Sequence, residues 1–270
     1  MGTHLFRQRV FGLALVLALL ASETIRDKPI TLESRLIFWN IGQGDFMTLA
    51  TPAGCWSFDV GGSFALPLKA LVYLQDHCPR HHMEIFVSHF DKDHIRNFGR
   101  LATHLIVTDA FFSHLQPRTQ FGLHLLQDLQ FQKAHIHEIR AGFLTQLGPF
   151  KLRCLWPPPS VPLGKNENDR SLVLLLIGMG KKILVTGDFP GKLEHKLMVD
   201  EVDILKVAHH GSRSSTTRKF LNFLKPKDCI VSVGAHNSYG HPTPETLGRL
   251  AQSHCTILRT DRLGTIEFIL

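Results

Sequence analysis

From residue 35 onward, the hydrophobic residues of this chain come in short runs separated by glycine and proline turns. The first two runs, 36–40 and 46–50, flank the turn at 42–44, and a second turn at 51–54 leads into a third run. Short apolar runs bounded by turn residues predict β-strands. The chain therefore opens with a predicted β-meander, which ends at Asp59-Val60-Gly61-Gly62.

The remaining pattern predicts helices alternating with further strands. The helical pattern is assigned to 66–75, 95–101, 121–129, 192–199, 220–224 and 245–251. Strands are assigned to 84–87, 105–107, 151–155, 171–177, 182–186, 203–207, 229–233, 256–259 and 265–269. Two sheets packed face to face with helices outside satisfy this order. A doubly wound parallel sheet does not, because the opening hairpins are antiparallel.

The first 31 residues differ in kind from the rest. Arg7 and Arg9 precede an apolar run over 10–21, and charge returns at Glu23. A basic head followed by a short apolar run is typical of a secretory signal, and the run is short for a membrane span. We predict a signal peptide or membrane anchor over 1–31, one domain over 32–270, and an extracytoplasmic location in the periplasm or on the outer face of the inner membrane.

Composition adds three constraints. The chain has 270 residues, 44% of them apolar, which is enough for one large core. Its net charge of +7 is compatible with a polyanionic partner such as nucleic acid. The five cysteines form no CxxC motif, so a cysteine metal site is not expected, and their pairing cannot be chosen from the sequence.

The most informative segment is the run Ser-His-Phe-Asp-Lys-Asp-His over 88–94. It follows the predicted strand 84–87 directly, so His89, Asp91, Asp93 and His94 can converge on one or two cations. Imidazole nitrogens and carboxylate oxygens together suit zinc, manganese or iron. The segment therefore predicts a metal-dependent hydrolase.

Four further predicted strands end in residues that can bind a metal. These are Asp59, Asp188, the pair His209-His210, and His241. A site for two ions needs donors from several strand ends and one carboxylate that bridges the ions. Asp188, which stands between a glycine and an apolar residue, is the natural bridge.

The order of these motifs resembles the metallo-β-lactamase superfamily and, in more detail, the nuclease-like domain of ComEC-type DNA-uptake proteins. The motifs that carry the resemblance lie at 42–45, 59–62, 88–94, 168–174, 186–188, 205–212 and 232–242. The resemblance implies an αββα sandwich, in which two mixed β-sheets pack together and helices flank them. It also implies two divalent metal ions.

The resemblance further implies a role for each matching residue. His89 and Asp91 would bind one ion, Asp93 and His94 the other, and Asp188 would bridge them. Asp93 is also assigned to catalysis.

The remaining assignments concern the second half of the chain. One of His209 and His210 would complete the shell of the second ion; His209 is preferred, but His210 stays open. Asp59 would lie just behind the metals as an organising residue or further ligand. His241 would donate a proton to the leaving group or bind a metal, and Lys206 would stabilise developing charge.

Two departures from the usual superfamily pattern bear on the metal. Asp91 stands where most relatives have histidine, and Asn168 or Asp169 stands where a third histidine ligand is usual. Both changes enrich the first site in oxygen. We therefore expect manganese or magnesium rather than zinc, although zinc stays open.

The expected function is an extracytoplasmic metal-dependent nuclease that degrades the non-imported DNA strand during natural transformation, beside a membrane channel. Arg170, Arg213, Arg218 and Lys219 are candidates for contacting single- or double-stranded DNA through its backbone, without reading its sequence. Two alternatives stay open. One is a two-metal hydrolase of a small ester, such as a lactone or a phosphocholine ester, and the other is a non-catalytic DNA-guiding module.

Overall fold

A computed structural model of the chain describes residues 33–159 and 166–270. In chain order, the strands there are β1 (Arg35–Phe38), β2 (Met47–Thr51), β3 (Gly54–Phe58), β4 (His82–Val87), β5 (Ile106–Phe112), β6 (His135–Glu138), β7 (Leu144–Leu147), β8 (Phe150–Trp156), β9 (Val173–Gly178), β10 (Lys181–Val185), β11 (Ile204–Lys206), β12 (Asp228–Val231), β13 (Thr256–Arg259) and β14 (Ile266–Ile269). The helices are α1 (Leu68–His77), α2 (Lys92–Ile95), α3 (Phe98–Ala102), α4 (Gln120–Phe131), α5 (Arg218–Leu224), α6 (Pro244–Gln252) and α7 (Thr260–Leu263).

The strands form two seven-stranded sheets, with the orders β14-β1-β2-β3-β4-β5-β6 and β13-β12-β11-β10-β9-β8-β7. In the first sheet, pairing is antiparallel from β14 to β3 and parallel from β3 to β6. In the second sheet, pairing is parallel from β13 to β10 and antiparallel from β10 to β7. Both sheets are therefore mixed, as predicted.

Alternate residues of β1 serve two different cores. Leu36 and Phe38 of β1 face the second sheet, and they pack with residues such as Leu174 and Ile183 between the two sheets. Ile37 faces the other way, into the core beneath the helices of the first sheet. A third core, which includes residues of α5, covers the outer face of the second sheet. This layering confirms the predicted αββα sandwich.

Two predicted helices are corrected. The helix at 95–101 is instead two short helices, α2 and α3, with Asn97 between them. The amide of Asn97 donates to the carbonyls of Gly61 and Phe64, so it serves the neighbouring loop. The helix at 192–199 is a 3-10 segment, Gly191–Lys196, because buried Glu194 turns inward to accept hydrogen bonds from Thr216 and Thr217. Strand β7, at the edge of the second sheet, was not predicted.

The structure also resolves the cysteine pairing that the sequence left open. One disulfide joins Cys55 of β3 to Cys78, and a second joins Cys229 of β12 to Cys255. Cys154 is a buried free thiol. In the chain-entropy view, closing loops of this length stabilises the fold by about 3 kcal/mol each.

The predicted signal peptide or anchor over 1–31 lies outside the described residues. Residues Glu33–Leu270 form one compact unit. A search of the described helices finds none with both the length and the apolar character needed to cross a membrane. The division at residue 31 stays a prediction.

Candidate metal centre

Four buried side chains from separate parts of the chain meet at one edge of the two sheets. They are Asp45, His94, Asp188 and His210, and each offers one nitrogen or oxygen within 4.8 Å of the others. Asp45 lies between β1 and β2, His94 is in α2, and the other two follow β10 and β11. The chain therefore assembles this cluster from its first and second sheets together.

Asp188 is the centre of the cluster. Its Oδ1 lies 3.2 Å from Nε2 of His94 and 3.5 Å from Nε2 of His210. Its other oxygen, Oδ2, lies 3.4 Å from Nε2 of His209. Asp93 also approaches the cluster, with Oδ2 at 3.3 Å from Nε2 of His210. A carboxylate with nitrogen donors beside both of its oxygens has the arrangement expected of a bridging ligand.

Several buried polar atoms at this place have no hydrogen-bond partner. They are Nε2 of His89, His94 and His210, and Oδ1 of Asp45 and Asp188. Buried polar atoms are hydrogen-bonded in the great majority of cases, and each exception needs an explanation. A divalent cation would satisfy these atoms together, so the donor set fits a metal centre.

The atoms behind the cluster fix which nitrogen of each imidazole faces it. Asp59 Oδ2 lies 2.8 Å from Nδ1 of His94 and also accepts from the hydroxyl of Ser88 at 2.8 Å. Nδ1 of His210 lies 2.9 Å from the carbonyl oxygen of Ser232. Both contacts leave Nε2 turned toward Asp188, which is the usual way that outer residues orient a metal-binding histidine.

Glycines bring the first strand loop against α2. A Cβ on Gly61 would lie 1.6 Å from the carbonyl oxygen of Asp93, and one on Gly44 would lie 2.3 Å from it. The amides of Asp45 and Gly62 both donate to that carbonyl at 3.0 Å. Only glycine permits the backbone to come this close to the Asp93 carbonyl. The glycines of the Gly-x-Gly-Asp and Asp-x-Gly-Gly motifs therefore allow Asp45 to lie beside Asp93 and His94.

Asp45 is the site residue that the sequence analysis missed. It appeared only as the last residue of a family motif, although, like Asp59, it lies beside a glycine-rich turn. Lys206 explains part of its position, because Nζ of Lys206 donates to Asp45 Oδ2 at 2.6 Å and to the carbonyl of Val207 at 3.1 Å. Lys206 is only 2% exposed, so its predicted role toward substrate is corrected: it holds and neutralises Asp45.

The predicted ligands of the first ion lie beside the cluster. Nε2 of buried His89 is 3.4 Å from Oδ2 of Asp91, which is partly exposed, and the His89 ring lies 4.2 Å from that of His94. Nδ2 of Asn168 lies 3.3 Å from Nδ1 of His209, at the same edge.

Asp169 does not join them. Its carboxylate pairs with Lys192 at 2.9 Å, and its carbonyl accepts from Trp156. Asp169 is therefore corrected as a candidate ligand, because Lys192 rather than the cluster holds its carboxylate.

The two histidines of the 209–210 pair occupy different positions. His210 is fully enclosed within the four-residue cluster, whereas His209 lies at its rim and remains partly exposed. Both have left-handed backbone conformations, with φ of 52° and 53°, and both approach Asp188. His241 lies next in line, with its ring 5.7 Å from that of His209 and its Nδ1 buried without a partner.

The predicted DNA-contacting residues differ in burial. Arg170 is buried, and its Nη1 lies 3.3 Å from Glu167 and 3.5 Å from His114. Its assignment to the DNA backbone is corrected, since burial and these contacts hold it inside the protein. Arg213, Arg218 and Lys219 are exposed, and the last two begin α5.

Electrostatics of the metal-free cluster are dominated by the carboxylates. Burial alone would lower the pKa of His94, but the charges of Asp188 and Asp59 outweigh burial and raise it well above its usual value. Burial would also lower the pKa of His210, but the charges of Asp188 and Asp45 outweigh burial and raise it. Burial would raise the pKa of Asp188, but His94 and His210 outweigh burial. The pKa of Asp188 therefore lies well below its usual value. A binding cation must therefore displace protons.

The comparisons with known proteins agree with this geometry. A search of family models finds no match. The chain is 31% identical over 255 residues to ComE operon protein 3 of Bacillus subtilis. This alignment covers 85% of the present chain and 32% of the Bacillus protein. The chain is 27% identical over 241 residues to competence protein ComA of Neisseria gonorrhoeae, covering 87% and 32%. The chain thus spans about a third of the length of these relatives.

Solved structures show the fold. The diiron β-hydroxylase CmlA of Streptomyces venezuelae aligns over 90% of this chain and 55% of its own, with a TM-score of 0.57 and 12% identity. The metallo-β-lactamase fold protein YhfI of Bacillus subtilis aligns over 87% of this chain and 100% of its own, with a TM-score of 0.56 and 10% identity. By sequence and fold together, the chain is a metallo-β-lactamase-fold homologue of the ComEC and ComA competence proteins.

Proposed function

We propose that this chain is a metal-dependent phosphodiesterase that cleaves DNA in a DNA-uptake system. The observation that carries this proposal is the set of buried, unpartnered nitrogen and oxygen atoms gathered around Asp188. The competence proteins to which the chain is homologous support DNA as the substrate.

The cluster offers ligands for two cations. Asp45, Asp93, His94 and His210 would hold one ion, and Asp188 would be shared with the other. The other ion would take His89, Asp91 and His209. When bound, such ions activate a water molecule and neutralise charge on the phosphodiester.

The protein's own residues prepare this chemistry. Asp59 holds the His94 ring in place, and the carbonyl of Ser232 does the same for His210. Lys206 offsets the charge of Asp45, which limits repulsion among the carboxylates. His241 lies at the rim beside His209, where its ring would pass a proton to the leaving oxygen.

The donor set favours manganese or magnesium. Asp45 adds a carboxylate to the three that the sequence suggested, Asp91, Asp93 and Asp188. Hard, oxygen-binding cations prefer such sets, whereas the histidines alone would also suit zinc.

We further propose that the domain works outside the cytoplasm, next to a membrane channel. The two disulfides support an oxidising compartment, since such bonds are rare in the cytosol. The kinship with competence proteins supports a partner that moves DNA across a membrane.

The test is cleavage of labelled single- and double-stranded DNA by the full chain with manganese, magnesium, zinc or chelator. The Asp188→Ala variant is compared with Asp200→Ala, a matched control because Asp200 is exposed. We expect metal-dependent cleavage that Asp188→Ala abolishes and Asp200→Ala retains. The proposal fails if no metal gives cleavage, or if the Asp188→Ala protein cuts DNA as the wild type does. Hydrolysis of a lactone or phosphocholine ester without DNA cleavage would favour the small-ester alternative.

A further inference from the structure

A surface groove opens directly beside the metal centre. It has a volume of roughly 360 Å³, and its lining includes Gln43, Phe64, Lys92, Asp93 and Tyr239. Asp93 is the point where the groove meets the cluster, because its carboxylate lies 3.3 Å from His210. The size is at the lower end for ligand clefts, which suits one flexible chain rather than a wide duplex.

The lining of the groove includes a phenylalanine, Phe64, that is exposed to solvent. The side chain of Phe64 is 60% exposed. Its backbone is nevertheless fixed: its amide donates to the carbonyl of Ile41 at 3.0 Å, and its carbonyl accepts from Asn97 at 2.7 Å. Arg96 secures the preceding residue by donating to the carbonyl of Ser63 at 2.8 Å. An apolar ring on so fixed a support is suited to contacting a ligand.

The lining of the groove also presents a second exposed ring, that of Tyr239. Tyr239 is 66% exposed and lies in a turn that Asn237 closes by donating to the carbonyls of Gly234 and His241, at 2.9 and 2.6 Å. The Tyr239 ring is stacked on that of His241, with the ring planes 24° apart. Tyr239 therefore lies between the groove, which it lines, and His241 at the rim of the metal centre.

Gln43 links the two segments that carry these rings. Its amide donates to the hydroxyl of Ser63 at 2.9 Å, next to Phe64. Its side-chain oxygen accepts from the amide of Gly234 at 3.2 Å, at the start of the turn that carries Tyr239. The two exposed rings are thus held on one connected frame.

The groove also carries positive charge. Lys92 and Arg96 are exposed along it, and Lys92 stands between the metal-binding candidates Asp91 and Asp93. Nζ of Lys92 lies 5.1 Å from the centre of the Phe121 ring, so another partly exposed aromatic residue adjoins the same surface. Cations for a phosphate backbone beside aromatic faces for bases are the two elements of a single-strand binding surface.

We propose that this groove binds the unpaired nucleotides of a single DNA strand and delivers the scissile phosphodiester to Asp93 and its neighbours. Bases stack on Phe64 and Tyr239, while Lys92 and Arg96 contact phosphates. A duplex cannot use the rings in this way, because its base faces are already stacked within the helix. This inference rests on the proposed nuclease function and specifies the form of DNA that the site accepts.

The test measures kcat and KM of the full chain with manganese, on a single strand and on a duplex of the same length. The Phe64→Ala/Tyr239→Ala double variant is compared with Phe131→Ala/Phe223→Ala, which removes two exposed rings outside the groove. Base stacking predicts about a tenfold rise in KM for the single strand per groove ring, with less than about threefold change for the duplex. The Phe64→Trp/Tyr239→Trp variant should restore the single-strand KM.

Two readouts keep the outcomes distinct. Binding of a labelled oligothymidylate in chelator needs no catalysis, so it tests the groove even if the wild type cleaves nothing and the proposed function fails. The rise in melting temperature on adding manganese checks that the variants keep the fold and the metal centre. An unchanged single-strand KM and oligothymidylate affinity in the groove variant, or an equal loss on duplex, overturns the inference.

Discussion

The two halves of the metal centre are built differently. The deep half, formed by Asp45, His94, Asp188 and His210, is buried, and protein groups outside it hold its two imidazoles from behind. The open half, formed by His89, Asp91, Asn168 and His209, has partly exposed members, and of these only His89 is fully buried. Ligands fixed before binding need little reorganisation, so the deep half should bind its cation more tightly.

This difference has a consequence for function. A tightly held ion in the deep half would maintain the site, while a weaker ion in the open half would come and go with the substrate. The open half also faces solvent, from which the proposed DNA substrate would enter. Substitutions in either half should therefore change the balance between the two ions.

Asp188→Asn should remove both ions, because Asp188 serves both halves. We expect cleavage to fall by at least about a hundred- to thousandfold, which is the loss typical when one charge-stabilising group is removed from an active site. Calorimetric titration with manganese should show no tight site. The exposed-residue control Asp200→Asn should leave both quantities unchanged. A variant that still binds one ion tightly would show that the halves do not share Asp188.

Lys206→Met separates stability from metal binding in the deep half. Removing one partner of a buried ion pair costs about 3–5 kcal/mol, so the chelated protein should melt at a lower temperature. Asp45 is then left with an uncompensated charge, and the rise in melting temperature on adding manganese should be larger than in the wild type. Lys192→Met is the matched control, because its pair with Asp169 is exposed and worth about 1 kcal/mol or less. A smaller manganese effect in Lys206→Met would contradict this role.

Asp59→Asn tests how far metal binding in the deep half depends on the contact by which Asp59 orients the His94 ring. Asp59 accepts from the amide and hydroxyl of Ser88 and contacts Nδ1 of His94. Loss of such support costs about 10- to 100-fold in metal affinity, and excess manganese should restore activity. Asp109→Asn breaks a similar contact with His137, at 2.9 Å on β5, and should have no effect on affinity. Equal metal affinities for Asp59→Asn and the wild type would show that His94 is oriented without Asp59.

Most of both halves could be predicted from the sequence; the exception is Asp45 in the deep half. His89, Asp91, Asp93 and His94 lie within one short segment after a strand, so local pattern alone brings them together. Asp188 and the pair at 209–210 could be added because each follows a predicted strand. Strand ends that share a sheet edge are brought together by the topology.

Asp45 and Lys206 could not be placed in this way. They are 161 residues apart in sequence and belong to different sheets, so their contact depends on how the sheets pack. In the sequence, Lys206 is one basic residue among many and Asp45 follows a glycine turn, so neither pattern predicts a contact between them. The burial of Arg170 was missed for a similar reason, because one of its contacts, His114, lies 56 residues away in the sequence. Long-range packing therefore decides which charged residues face substrate.

The smallest expected effect is a difference in pH dependence with and without metal. In chelator, the raised pKa values of His94 and His210 mean that their protonated forms stabilise the fold. This stabilisation is complete below the usual pKa of 6.5 and is lost as pH rises through the raised values. A cation takes the place of the protons, so its own stabilisation grows as pH rises. Melting temperatures measured from mildly acidic to alkaline pH should fall in chelator, and the gap between chelator and manganese should widen. A constant gap would mean that manganese binds without displacing protons from the deep half, and the ligand set would then have to lie in the open half.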